Sequence, residues 1–307
     1  MTDARRIDAI PALRRRRRDG HKGDYGRVLV VGGSSGMIGA AALAANAALR
    51  GGAGLVQLAV PETIQLAAAT LAACATSLGL ACKADGSLAH KALAQFVRAA
   101  DAADVVAVGP GMGVGAAQQD LVRSALGCGK PMVLDADGLN NLSKIADWPA
   151  LRTAPVVLTP HPGEFATLTG LAVREIQADR EGRAAWWTRA WSAGPDAKVV
   201  CVLKGAGTVV TDGDRLFVNP TGNPGMATGG AGDVLTGLTA ALCCQLEDPF
   251  EAACLAAYCH GRAGDLAAEA LGEVSLTATD LILYLPQAIR ERTELPSSGA
   301  SRDTTRP

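Results

Sequence analysis

The sequence predicts an α/β fold: one mostly parallel central sheet with helices on both faces, in a single domain. Three observations carry this. Short continuous apolar runs recur at residues 27–31, 104–108, 131–134, 155–158 and 199–203, the pattern of strands buried on both faces. Alanine- and leucine-rich helical patterns alternate with them across short loops, as βαβ units require. Nearly every glycine-rich or polar cluster follows the C-terminal end of one of these runs, the edge at which open α/β sheets bind ligands. The chain has 307 residues, room for one large domain or two modest ones. No internal repeat or linker divides it.

Taken in order, residues 1–20 form a basic segment with arginine at every position from Arg14 to Arg18. The strand at 27–31 turns through Gly32-Gly33-Ser34-Ser35-Gly36-Met37-Ile38-Gly39 into a helix at 40–50. A strand at 54–60 stops at Pro61, and helical patterns follow at 63–73 and 88–100. The strand at 104–108 ends in Gly109-Pro110-Gly111-Met112-Gly113, ahead of a helix at 116–126. Residues 131–134 open into Asp135-Ala136-Asp137-Gly138-Leu139-Asn140, and residues 155–158 into Thr159-Pro160-His161-Pro162-Gly163-Glu164. One long helix is expected over 173–193, carrying Trp186, Trp187 and Trp191. The strand at 199–203 closes on Lys204-Gly205-Ala206-Gly207-Thr208, and 209–218 reads as a hairpin turning at Asp212-Gly213-Asp214. Helices at 250–271 and 277–289 complete a domain expected to span 21–293. The polar residues 294–307 read as a disordered tail.

Composition narrows the function. Net charge is -1, so no global field attracts nucleic acid or membrane, and no apolar run approaches the ~20 residues that span a bilayer. Eight cysteines are scattered without a C-x-x-C pair, against a metal cluster or a disulfide framework. They read as buried free thiols in a reducing compartment. The arginine run is followed by Asp19 and Gly20 rather than an apolar stretch, so twin-arginine export is not indicated and a cytoplasmic protein is expected. The run reads as a solvated flank, with the border of a phosphate-rich ligand as the alternative.

The chain is organised around residues 219–242. A glycine-dense loop ending Gly229-Gly230-Ala231-Gly232-Asp233 runs into an apolar helix. The first N–H groups of a helix lack internal partners and carry the positive end of its dipole, so they suit a phosphate. Asp233 at that mouth is placed to take a proton from a hydroxyl beside a bound phosphate; a simple helix cap is the alternative. Lys204-Gly205-Ala206-Gly207-Thr208 supplies a cation, two glycines and a hydroxyl, either as the second wall of a nucleotide pocket or as a tight turn with an exposed lysine. His161, between two prolines, is held rigidly and suits a ligand contact, whereas His90 and His260 fall in helical patterns. Glu164 reads as a magnesium-associated carboxylate or as a plain first-turn acid.

Residues 32–39 invite two false matches. Their glycine spacing is not that of a dinucleotide fingerprint. Gly32, Ser34 and Gly36 satisfy G-x-S-x-G, which keeps open a hydrolase with Ser34 as nucleophile and His161 or His260 as base. The position on the first strand and the lack of a preceding oxyanion loop count against it. A Walker A loop is absent, since Gly129-Lys130 is followed by Pro131.

Assembled in order, these motifs resemble the ADP-dependent NAD(P)H-hydrate dehydratase family, of ribokinase-like fold. The series also includes residues 21–26 and 50–56, and covers about 21–284. The resemblance implies that Ala40, Gly111 to Gly113, His161 and Asp233 contact the hydrated nicotinamide nucleotide, while Lys204, Gly205, Ala206, Gly207, Thr208 and Gly232 hold ADP as co-substrate, with Mg2+. It implies repair of the (S)-hydrates of NADH and NADPH, with AMP and phosphate as products, and assembly as a homotetramer. Only about twenty residues precede the match, so an NAD(P)H-hydrate epimerase is expected on a separate chain. The arginine run and the residues after 293 have no counterpart in the pattern. Two alternatives stand beside this. One is a small-molecule ATP kinase of the same fold, of hydroxymethylpyrimidine or hydroxyethylthiazole type. The other is a nucleotide sensor that binds without turnover.

Overall fold

The computed structural model describes residues 3–192 and 198–293. In chain order the elements are β1 (Arg5–Arg6), β2 (Arg27–Val31), α1 (Ile38–Arg50), β3 (Leu55–Pro61), α2 (Gln65–Leu71), β4 (Thr76–Leu80), α3 (Lys91–Asp101), β5 (Val105–Val108), α4 (Ala116–Leu126), β6 (Met132–Leu134), α5 (Asp137–Leu142), α6 (Trp148–Leu151), β7 (Val156–Leu158), α7 (Pro162–Thr169), α8 (Val173–Ala178), α9 (Arg180–Trp191), β8 (Val199–Leu203), β9 (Val209–Thr211), β10 (Arg215–Val218), α10 (Ala231–Cys243), α11 (Pro249–Leu271) and α12 (Ala278–Glu291). They form one sheet in the order β1-β10-β9-β8-β7-β6-β5-β2-β3-β4. Strands β8 to β4 of that order are parallel; β9 runs against both β8 and β10, and β1 lies parallel to β10.

The apolar runs are continuous because both faces of the sheet are covered. Val28 and Val30 of β2 face a layer made by α1, α10, α11 and α12. Leu29 and Val31 face the opposite layer, which includes α3, α4, α5, α7 and α9. Helices α1 and α10 approach closely at Gly237, where a Cβ would run into the Ala44 carbonyl. That contact outweighs the ~1 kcal/mol a mid-helix glycine costs.

Strand order reverses between β2 and β5, and the helices that follow these strands lie on opposite faces. The loops leaving the two strands therefore diverge at the C-terminal edge and open a crevice there. Gly33 N–H still donates to the Pro110 carbonyl at 2.7 Å, so the floor of the crevice is closed.

Some elements depart from expectation. The helix predicted over 173–193 is two: Asp179 ends α8 and caps α9 by accepting the Gly182 N–H. Residue 193 and the predicted tail at 294–307 lie outside the described residues. Strands β1 and β4 had no sequence signal, the first being two arginines and the second a half-exposed edge strand containing Gly79. The arginine run does not border the crevice: Arg16 stacks over Tyr25 and bonds the Gly52 carbonyl, at the edge where β2 and β3 begin. All eight cysteines are free, but only Cys201, Cys254 and Cys259 are buried, and Cys74 is exposed. Among the described residues no helix is long and apolar enough to cross a membrane.

Candidate active site

The crevice is built by loops following five parallel strands and by the N-terminus of α10. That terminus is set by Gly230, whose φ of 89° is open to glycine at little cost. The N–H groups of Gly232 and Asp233 have no acceptor among the described residues, which leaves them pointing out of the helix mouth.

Asp233 is the third residue of α10 and not its cap, since Gly230 holds that position. Its half-buried carboxyl makes no hydrogen bond among the described residues. Burial, together with the neighbouring charges of Asp135, Asp137 and Glu164, pushes it from the usual 3.8 up to about 7, against the pull of Lys204. A free carboxyl poised near neutrality suits a general base.

Behind it lies an ionic frame. Asp135, at the end of β6, is 1% exposed. One oxygen takes Lys204 Nζ at 2.7 Å and the other the Thr236 hydroxyl at 2.7 Å. Lys204 Nζ also lies 3.6 Å from Glu164. Burial pulls the ammonium down, yet the two carboxylates outweigh it and hold it above the usual lysine range. Lys204 is thus no exposed turn lysine; it ties β8, β6, α7 and, through Asp135, α10 together. Gly232 leaves room for it, since a Cβ there would come within 3.3 Å of Nζ.

His161 caps α7. Its Nδ1 accepts the N–H groups of Gly163 and Glu164 at 3.0 and 3.2 Å, which puts the ring proton on Nε2. Glu164 returns the bond by accepting the His161 N–H at 2.7 Å, completing a capping box, so it is indeed a first-turn acid. Burial raises its carboxyl above the usual range.

On the other wall Gly111 abuts Ala40, which a Cβ would approach to 3.0 Å. Gly113 N–H donates to Asp137 at 2.9 Å. Asp137 is aimed by Ala136, the one non-glycine residue with positive φ among those described, at 48°. A strained backbone of this kind persists where the surroundings over-determine it. Thr208 closes the Lys204–Thr208 turn by donating to the Gly205 carbonyl at 3.0 Å.

The crevice thus brings Glu164, Lys204, Gly232 and Asp233 together around Asp135, with Gly111 against Ala40 and Gly113 on Asp137. It does not assemble a hydrolase triad: among the described residues Ser34 bonds neither candidate base. His161 is committed to α7, and His260 Nε2 meets the Ala231 carbonyl at 2.9 Å. Burial depresses His260 to about 4, so it is neutral. His90 pairs with Asp120 on the surface. Sequence reasoning assigned no role to Asp135, Asp137 or Thr236. The carboxylates had a usable signal, their place directly after an apolar run; Thr236 had none.

A sequence model of the NAD(P)H-hydrate dehydratase family matches residues 28–287. The chain belongs to this family. The bifunctional NAD(P)H-hydrate repair enzyme Nnr of Moorella thermoacetica is 44% identical over 297 residues, covering 95% of this chain and 55% of that one. The chain therefore spans about half the length of the curated relatives it matches. Among family structures, the ADP/ATP-dependent NAD(P)H-hydrate dehydratase of Bacillus subtilis, co-crystallised with ATP/Mg2+, has TM-score 0.76 and 32% identity, covering 93% of this chain and 99% of that one. A ribokinase-like superfamily protein of Enterococcus faecalis, at TM-score 0.77 and 23% identity over 95% and 98% of the two chains, shares the ribokinase-like fold.

Proposed function

We propose that the protein is an ADP-dependent (S)-NAD(P)H-hydrate dehydratase, and that Asp233 is its base. The observation that carries this is the free Asp233 carboxyl, held near pH 7 beside unpaired N–H groups at the mouth of α10. The hydrate carries a hydroxyl next to the ring nitrogen, and hydroxide leaves poorly. Asp233 takes the hydroxyl proton as the oxygen attacks the terminal phosphorus of ADP, and AMP departs. The N–H groups of Gly230, Gly232 and Asp233, which have no acceptor among the described residues, hold the charge on the moving phosphoryl group. The ring nitrogen's lone pair then expels phosphate, and loss of a proton from the adjacent carbon restores the dihydronicotinamide. Ala40, Gly111, Gly113 and His161 line the hydrate side; Lys204 to Thr208 and Gly232 line the nucleotide side.

Mg2+ fits the donor set in a limited way. Among the described residues no group of three or more His, Cys, Asp or Glu side chains is arranged to hold a metal. Mg2+ commonly keeps water and phosphate oxygens and needs one or two carboxylates. Glu164 is the residue we assign; its Oε2 accepts the His161 N–H and its Oε1 lies 3.4 Å from His161 Nε2, so an ion held there with nucleotide would take the place of the Nε2 contact and would offset phosphate charge. The assembly we propose is a homotetramer, and a separate epimerase would supply the (S) form. The test is incubation with hydrated NADH and ADP or ATP. Return of the absorbance of reduced nicotinamide together with AMP from ADP supports the reading, whereas a stable phosphoester would mark a kinase and binding without product a sensor.

A further inference from the structure

Among the described residues Arg180 is a cation without a counter-charge. It is the first residue of α9, and its half-buried guanidinium lies beneath the turn that ends β8. Nη2 donates to the carbonyls of Leu203 at 3.0 Å and Lys204 at 3.2 Å. No carboxylate pairs with it among the described residues, and Nε is buried with no acceptor. Burial accordingly lowers it below the usual arginine range with nothing to oppose the shift. The first turn of a helix disfavours a cation, and a desolvated charge without a partner is costly. A residue that breaks local rules in this way next to a ligand loop is a candidate for function.

Two geometric facts show what it does there. A Cβ at Gly205 would run into Nη1, so the guanidinium occupies the space under that residue. A trans peptide unit holds its N–H opposite its C=O. With the Lys204 carbonyl drawn toward Arg180, the Gly205 N–H is turned to the other side, where it has no acceptor among the described residues. The preceding N–H, that of Lys204, is already given to the Pro160 carbonyl.

We propose that Arg180 is a positioning residue for adenine-nucleotide binding: by gripping the Leu203 and Lys204 carbonyls it presents the Gly205 N–H to the nucleotide and adds positive potential beneath that loop. This rests on the reading of residues 204–208 as the nucleotide loop. Calorimetric titration of ADP into the wild type, Arg180→Gln and Arg180→Lys tests it, alongside steady-state kinetics and melting curves. The expected result is ADP binding weakened about tenfold in Arg180→Gln, the scale of a lost hydrogen bond to a charged group. Arg180→Lys, with the charge but a shorter reach, should fall between. KM for ADP should rise in parallel while KM for the hydrate stays within about twofold. If Arg180→Gln does not fold, Arg180→Lys carries the same comparison. ADP affinity within twofold of wild type, or equal losses toward both substrates together with a collapsed melting transition, would overturn the inference alone. A wild type that binds neither ADP nor ATP would overturn it together with the functional reading.

Discussion

Asp233→Asn separates the two things this carboxyl does. Asparagine keeps the volume and removes both the charge and the proton-accepting oxygen. A carboxyl shifted from 3.8 to about 7 binds its proton more tightly in the folded chain. Stability from this group is therefore fully present below about pH 4 and is lost as pH rises through 7. Moving from 3.8 to about 7, at 1.36 kcal/mol per tenfold change in proton affinity, sets a ceiling of about 4 kcal/mol on the cost of keeping Asp233 ionised. Partial exposure and the field of the helix mouth lower that, so a gain of ~1–3 kcal/mol at pH 8 is expected for Asp233→Asn. Turnover should drop ~10²–10⁴-fold, and the acid limb of the wild-type rate profile near pH 7 should vanish. Urea unfolding of both proteins at several pH values between 4 and 8.5, with turnover on hydrated NADH, measures all three. A variant less stable than wild type at pH 8, a stability difference independent of pH, or near-normal turnover refutes the reasoning.

Lys204→Met leaves Asp135 and Glu164 buried without their cation, at a cost of about 3–5 kcal/mol. The loss should shrink as pH falls and Glu164, already raised above the usual range by burial, takes up a proton, which urea melts at pH 8 and pH 5 would compare. Gly237→Ala forces a Cβ onto the Ala44 carbonyl and should separate α1 from α10. The expected result is a destabilisation of more than ~1 kcal/mol, opposite to the gain alanine gives in an unobstructed helix, read by thermal melting.

What could be read from the sequence follows from what is local. The runs at β2, β5, β6, β7 and β8 were legible because strands covered on both faces must be continuously apolar. Their C-terminal loops carried the site for the same topological reason. Strand β4 was not legible, because Thr76, Ser77 and Gly79 at a half-exposed edge carry no such run. The break at Asp179 hides inside a helical pattern, since a cap depends on where its side chain turns. At the site, Asp233 and the glycines before it were visible from the loop-to-helix junction. Lys204 was visible too, but its partner Asp135 lies 69 residues away, and no local pattern pairs them. Thr236 and Arg180 gain their roles only through packing: one hydroxyl turned beneath β6, one guanidinium folded under Gly205.

The fate of the hydroxyl oxygen tests the central claim most directly. Hydrated NADH carrying heavy oxygen in that hydroxyl would be turned over with ADP, and the released phosphate analysed by mass spectrometry. Attack by the substrate oxygen on phosphorus predicts one labelled oxygen per phosphate, in step with the NADH formed. Unlabelled phosphate, with the heavy atom released as water, would mean that nucleotide cleavage and dehydration are separate events, and Asp233 would not be doing what its position suggests.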